Sequence, residues 1–446
     1  MSRSLAKGSV RSSLRRRGPA AQIAAANDPT RYTPQFSWRD SQLYCEDVPL
    51  EQIAERVGTP AYVYSAASIT GAFRGLDGAL GRLPHILCYS VKANSNLSIL
   101  RLLAKLGSGF DIVSGGELYR LQRAGVAVNR VVFSGVGKSR EEMREALRAG
   151  ILLFNVESGA ELELLASEAS RLRLRAPAAI RVNPDVIAGG HRHISTGHHH
   201  HKFGLDWPDA RRLYLAHKDS PWIEWKGISA HIGSQIVTLG PFRQALGRLV
   251  RWVKDLAREG ISLRYLDFGG GLGVRYWKEK PLVPAVYARA VAAIVRPLGV
   301  HLLLEPGRPI VAPAGVLLMR AIYNKRNRGK DFVIVDAAMN DFIRPALYEA
   351  THPITPARFG SGANGSRRLA DIAGPVCETG DCFVKDWPIG DVSAGDLLVL
   401  WGAGAYGFSQ ASNYNSRTRP AEVLVDGRRF RMIRKRQTRN DLVRGE

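Results

Sequence analysis

No uninterrupted apolar run in this chain approaches the roughly 18–20 residues that a bilayer-spanning helix requires. A membrane-spanning helical protein is set aside on that ground, and a soluble protein is expected. Cysteine is scarce: Cys45, Cys88, Cys377 and Cys382 are the only four. They form neither a C-x-x-C pair nor a metal-ligand spacing, so no metal site is assigned to them. Reduced thiols in a cytosol-like compartment are the expectation. Acidic residues are absent from positions 1–27, where Arg3, Lys7, Arg11, Arg15, Arg16 and Arg17 have no counter-charge. No repeat longer than an alternating strand–helix period is found.

The chain has 446 residues, 45 glycines and 45% apolar content. That length suits two or three domains, or one large barrel with an accessory domain. A formal net charge of +23 raises the question of nucleic acid. The excess thickens at both ends, the tail holding Arg428, Arg429, Arg431, Arg434, Lys435 and Arg436, and no nucleic-acid module accompanies it. Solvated basic ends are the plainer account, and no nucleic-acid partner is expected. The acid-poor, Arg/Ser-rich N-terminus is also the composition of an organelle transit peptide. A cytoplasmic location is expected, with organelle targeting as its alternative.

Residues 1–35 read as a flexible basic leader, and 36–62 as an N-terminal segment that packs with a later β domain. Strand patterns then recur at 86–91, 110–113, 130–133, 152–156, 178–182, 227–232, 265–268 and 302–304, each leading towards a helical pattern. Ser114…Glu117, Ser139…Glu142 and Ser158…Glu161 have capping-box spacing, and Gly150 sits where a helix C-cap is expected. Eight βα units in about 250 residues predict a (β/α)8 barrel over 63–312, with a doubly wound sheet as the rival. After Pro313 the strands follow one another with turn-rich links, which predicts a mostly antiparallel β domain over 313–430 and a basic tail over 431–446.

In a barrel, chemistry gathers at the C-terminal ends of the strands. Lys92 stands there after the first strand. A lysine leaving water is destabilised as a cation, so desolvation is expected to lower its pKa and make it an amine able to form a Schiff base. Taken alone, a lysine that snorkels to solvent explains the stretch equally well. His231 closes the sixth unit, Gly269-Gly270-Gly271 the seventh and Glu305-Pro306-Gly307-Arg308 the eighth. Three glycines let backbone N–H groups converge on an anion, and barrels commonly bind phosphate after strands seven and eight. Ser234 adds a hydroxyl. A phosphorylated cofactor whose other end meets a lysine is pyridoxal 5'-phosphate. Glu305 is placed to keep its ring nitrogen protonated, and His231 to pack on its face.

The segments YSVKAN (89–94), FDIVSGGEL (110–118), FSGVGKS (133–139), HIGSQ (231–235) and DFGGGLG (267–273) occur in order. EPGR (305–308), MNDFIRPALY (339–348), GPVCETGD (374–381) and GAYGFSQASNYN (404–415) follow. Together they resemble the diaminopimelate decarboxylase family, of the alanine-racemase-like class of pyridoxal-phosphate enzymes, over about residues 45–425. The resemblance implies decarboxylation of meso-2,6-diaminopimelate to L-lysine, the last step of lysine biosynthesis. Lys92 would carry the cofactor, with Gly271, Glu305, Pro306, Gly307, Arg308 and Tyr406 helping to bind it. Arg308, Arg344, Tyr348 and Tyr406 would hold the amino-acid substrate. The resemblance further implies a homodimer with shared sites, in which Cys377 protonates the carbanion in the partner's site and Glu378 binds the substrate's far end.

Two departures stand out. The family's HxYISTG reads His191-Arg192-His193-Ile194-Ser195-Thr196-Gly197, with histidine in the tyrosine position, and His198–His201 precede Lys202. Adjacent histidines on one loop are not a preorganised metal site, so no metal is expected. A sister decarboxylase of ornithine, arginine or carboxynorspermidine is the alternative. Arg344, Tyr348 and Glu378 favour diaminopimelate, because a distal carboxylate calls for arginine. A non-catalytic cofactor carrier would keep the chromophore without turnover.

Overall fold

The computed structural model describes residues 28–187, 202–358 and 368–446. His191, Arg192, His193 and the run His198–His201 lie outside the described residues, as does most of the basic leader.

The chain opens with a small ribbon, β1 (Phe36–Arg39), β2 (Gln42–Cys45) and β3 (Val48–Pro49). The next strand, β4 (Ala61–Ser65), crosses to the C-terminal sheet and is buried along its whole length. Eight parallel strands then close a barrel: β5 (His85–Ser90), β6 (Gly109–Ile112), β7 (Val131–Phe133), β8 (Leu153–Val156), β9 (Ala176–Arg181), β10 (Ile223–Ser229), β11 (Tyr265–Asp267) and β12 (His301–Leu304). Each expected strand is present, several beginning or ending a residue or more from the predicted bounds. A closed parallel barrel has no exposed edge and buries most of both strand faces, so apolar residues predominate in its strands.

Each of the eight barrel strands leads into a helix, and three of the junctions carry the expected serine caps. Ser114, Ser139 and Ser158 each accept the N–H of the glutamate three residues on. Of these three pairs, Ser139 and Glu142 alone form the full reciprocal box. Glu117 and Glu161 instead accept from Val113 N–H and Glu157 N–H, one residue earlier than a capping box requires. Gly150 ends its helix in the left-handed conformation, φ 68°, that a C-cap favours.

Beyond the barrel lie β13 (Gly315–Asn327), β14 (Lys330–Val335), β15 (Ile354–Pro356), β16 (Leu369–Ala373), β17 (Cys382–Pro388), β18 (Leu397–Leu400), β19 (Ala421–Asp426) and β20 (Arg429–Arg434). With β4 they make a nine-stranded sheet. Most of its pairings are antiparallel, but β14–β16 and β4–β19 are parallel. One apolar core runs from the barrel into this sheet through Tyr62, Tyr64, Leu317 and Leu400. Gly404 lets the two parts close: a Cβ there would sit 1.7 Å from the Val311 carbonyl oxygen. Among the described residues no helix is long and apolar enough to cross a membrane.

Candidate active site

A cavity of about 200 Å³ opens at the C-terminal ends of the barrel strands, against the β domain. Lys92, His231, Ser234, Gly271, Glu305, Gly307, Arg308, Arg344, Tyr348 and Tyr406 line it. These are ten of the residues expected from sequence, brought together from six separate segments. Pro306 is not among the lining residues, and its carbonyl accepts the Ser90 N–H. Cys377 and Glu378 lie outside the cavity of their own chain. Both sit on the exposed turn 374–381, which the buried Asp381 pins by accepting from Met339 N–H and Val376 N–H. Cys377 N–H donates to Asn415, and Glu378 accepts from the Tyr414 hydroxyl.

Lys92 follows β5 in a short 3-10 turn, and its Nζ donates to Asp111 Oδ2 at 2.7 Å. This corrects the expectation drawn from desolvation. Burial does push the ammonium's pKa down, but Asp111, Glu305 and Tyr406 outweigh it and hold the pKa above its ordinary value. In this state Lys92 is a paired cation. The free amine that would attack an aldehyde is therefore scarce at neutral pH. Capture of pyridoxal phosphate by cofactor-free protein should speed up as pH rises. In Asp111→Asn the same profile should move to lower pH by about 1–3 units, since an adjacent counter-charge shifts a pKa by that much. Absorbance-monitored cofactor uptake across pH measures this, and an unmoved profile would contradict the pairing argument.

Asp111, Asp267 and Glu305 form a buried acidic layer that sequence reading missed apart from Glu305. Asn155 donates to Asp267 at 2.6 Å and to Ser134 at 3.1 Å, and Ser134 reaches Glu305 at 3.4 Å. Burial, then Asp111 and Asp267, push the Glu305 pKa well up, and burial raises Asp267 as well. Like charges this close do not all ionise, so the layer resists carrying its full negative charge unless a further cation faces it. The available signal was an acid within an apolar strand: Asp111 in Phe110-Asp111-Ile112 and Asp267 at the end of Tyr265-Leu266-Asp267.

The glycine run is tightly packed. A Cβ on Gly270 would lie 2.4 Å from the Glu305 carbonyl oxygen, and one on Gly271 2.5 Å from that of Gly233. Gly269 N–H is committed to Asp267, and Gly270 N–H to His231 Nδ1, which narrows the anion cradle to the part around Gly271, Leu272 and Ser234. By accepting that N–H, His231 Nδ1 is unprotonated. Burial, with Arg181 and Lys92 nearby, keeps its pKa well below the usual value.

Arg308 and Arg344 are each only 6% exposed. Arg308 donates to Tyr276 at 2.5 Å and to Ser234 at 3.0 Å, and lies 4.7 Å from the Tyr406 ring centroid. Arg344 lies over Tyr276 at 4.8 Å and Tyr348 at 5.6 Å. Among the described residues neither guanidinium has a carboxylate partner. Buried cations without a counter-ion are costly, so this cavity calls for an anionic ligand. Tyr406 holds a left-handed backbone, φ 54°, and its N–H donates to Ala93 next to Lys92. Such conformations in non-glycine residues cluster at functional sites.

A lysine, a buried carboxyl group and a glycine–serine cradle around one cavity are the set of groups that pyridoxal phosphate needs, so the residues present fit it. The family profile described as "Pyridoxal-dependent decarboxylase, pyridoxal binding domain" matches residues 66–312. The diaminopimelate decarboxylase of Pseudomonas aeruginosa is 50% identical, over 92% of this chain and 98% of its own length. That of Vibrio cholerae is 47% identical, over 90% and 96%. Among solved structures, diaminopimelate decarboxylase from Helicobacter pylori complexed with L-lysine superposes with a TM-score of 0.85. It is 41% identical, over 89% of this chain and 98% of that one. The M. jannaschii enzyme in complex with L-lysine gives 0.88 at 36% identity, over 92% and 97%.

Proposed function

The chain belongs to the diaminopimelate decarboxylase family of pyridoxal-dependent enzymes, and from that premise we propose how its residues divide the work. The reaction is loss of CO2 from meso-2,6-diaminopimelate, giving L-lysine. Bound pyridoxal phosphate supplies the electron sink for the pair left at the substrate Cα.

Lys92 anchors the cofactor, and Asp111 holds the lysine in place. Gly271 and Ser234 receive the phosphate, with Gly307, Arg308 and Tyr406 completing that side. Glu305 would face the ring nitrogen, where the pyridinium's positive charge would offset the repulsion from the neighbouring acids and let the carboxylate keep that nitrogen protonated. His231, neutral and half-buried, covers the ring face. Arg344, with Arg308 and Tyr348, grips the carboxylate that the substrate retains.

The observation that carries the choice of substrate is the pair of buried guanidinium groups without counter-charge. The product of ornithine or arginine decarboxylation, a diamine or an aminoguanidine, has no carboxylate left to satisfy Arg344. The test is CO2 release from purified protein with pyridoxal phosphate, comparing meso-diaminopimelate, L-ornithine and L-arginine. Release from diaminopimelate alone, with L-lysine as product, is expected. Release from ornithine or arginine would overturn the role given to Arg344.

Protonation at Cα is assigned to an acid brought by a second copy, in addition to the Lys92, Tyr348 and Tyr406 groups of this chain's own cavity. Cys377 and Glu378 are exposed on a pinned turn, which suits delivery into the cavity of a second copy. The functional unit proposed is therefore a homodimer with shared sites. Cys377→Ala should keep CO2 release while losing correct protonation to L-lysine. Co-expressed Lys92→Ala and Cys377→Ala chains should recover roughly a quarter of wild-type lysine formation. Half of randomly paired dimers are mixed, and each mixed dimer holds one intact site. Activity no higher than the separate variants would place Cys377 in its own chain's site.

A further inference from the structure

His352 carries no recognisable motif, yet it is the residue directly behind Arg344. It is fully buried, with the Tyr276 ring at 4.6 Å and the Phe342 ring at 4.7 Å. Its Nδ1 lies 2.8 Å from the Trp401 carbonyl oxygen. A carbonyl only accepts, so Nδ1 bears the proton. Its Nε2 lies 3.2 Å from Arg344 Nε, and a guanidinium only donates, so Nε2 is bare. One species satisfies both contacts: neutral imidazole protonated at Nδ1. An imidazolium would set N–H against N–H, and burial beside Arg344 and Arg308 keeps the ring's pKa well below its ordinary value.

This arrangement fixes the guanidinium without consuming its charge. Nε is held by His352, and the plane is held by the Tyr276 face. Among the described residues neither Nη group of Arg344 has a hydrogen-bond partner, and Arg344 lines the cavity. A carboxylate in the place of His352 would orient the arginine equally well, but it would form an internal ion pair that competes with a ligand. A neutral acceptor leaves the positive charge available.

We infer that His352 is a positioning residue for substrate discrimination: it aims Arg344 at the carboxylate the substrate keeps, and leaves that arginine's charge for the ligand. The inference rests on the reading of Arg344 as the carboxylate receptor.

The experiment compares L-lysine, which has that carboxylate, with cadaverine, the same diamine without it. Dissociation constants are measured on holoenzyme by calorimetry, for wild type, His352→Phe, His352→Gln and Arg344→Ala. His352→Phe keeps a ring of similar size but no acceptor; His352→Gln restores an acceptor oxygen. Weaker L-lysine binding by about 10–100-fold is expected in His352→Phe, the range for a lost hydrogen bond to a charged group. Cadaverine should change less than about twofold, on the same footing as a surface-neutral substitution, and Gln should recover most of the loss. In the Arg344→Ala background, His352→Phe should add nothing.

Equal weakening of both ligands would reduce His352 to a structural role and overturn the inference. So would unchanged L-lysine binding in His352→Phe where Arg344→Ala abolishes the preference. If Arg344→Ala itself leaves the preference intact, the reading of Arg344 fails and the inference with it. Should His352→Phe not fold, nitrogen shifts of histidine-labelled wild-type holoenzyme decide: an Nδ1–H tautomer at neutral pH supports the inference, and an Nε2–H tautomer overturns it.

Discussion

Lys92→Ala protein is expected to lose kcat on meso-diaminopimelate by about 10²–10⁴-fold or more, at least the range attributed to one positioned proton-transfer group. Lys92 is both the proposed covalent anchor and the nearest amine to the reacting centre, so its loss removes two functions together. The fold should survive. Lys92 Nζ makes one ion pair at the cavity wall, and its side chain keeps 38% of its surface accessible. What alanine leaves behind is Asp111 without its cation, beside Glu305 and Asp267. That buried acidic layer should then take up a further proton rather than unfold the barrel. The measurement is steady-state lysine formation, paired with borohydride trapping and dialysis to ask whether cofactor remains attached. Turnover near wild type, or cofactor still covalently held, would remove Lys92 from its role.

Arg344→Ala is expected to lower kcat/KM for diaminopimelate by about 30–5,000-fold. That is the factor corresponding to the 2–5 kcal/mol typical of truncating one partner of a buried charge pair. The effect should exceed that of any exposed arginine, because Arg344 is 6% exposed and has no carboxylate partner among the described residues. Much of the loss should appear in KM, since the distal carboxylate is remote from the bond that breaks. Part should appear in kcat, where remote binding energy orients the reacting end. Arg344→Lys should not restore it, because an ammonium cannot present two parallel N–H donors to one carboxylate. Initial rates against substrate concentration for the three proteins decide this. A change below about threefold, the size expected of an exposed pair, would return Arg344 to a structural role.

The barrel was legible from sequence because its signals are local. Eight apolar runs of strand length alternate with helical patterns, and serine caps mark three of the junctions. Lys92, Glu305 and Arg308 were legible for a related reason: barrel topology assigns the C-terminal strand ends to chemistry whatever the details of packing. The β domain's order was not legible. β4 precedes the barrel in the chain yet pairs with β13 and β19, more than 200 residues away, and short strands carry no signal of distant partners.

Sequence alone determined the fold class, the cofactor chemistry and the barrel side of the cavity wall, since residue type and position along a repeating unit suffice for those. Arg344, Tyr348 and Tyr406 on the β-domain side came from the family resemblance. Tertiary structure alone decided the electrostatics. Desolvation predicts a depressed lysine, but Asp111 comes from the next strand at 2.7 Å, and at that distance attraction outweighs burial. His352 was invisible for the same reason. Its role depends on which nitrogen faces Trp401 and which faces Arg344, and proton positions on a ring are set by neighbours that only the folded chain brings within 3.2 Å.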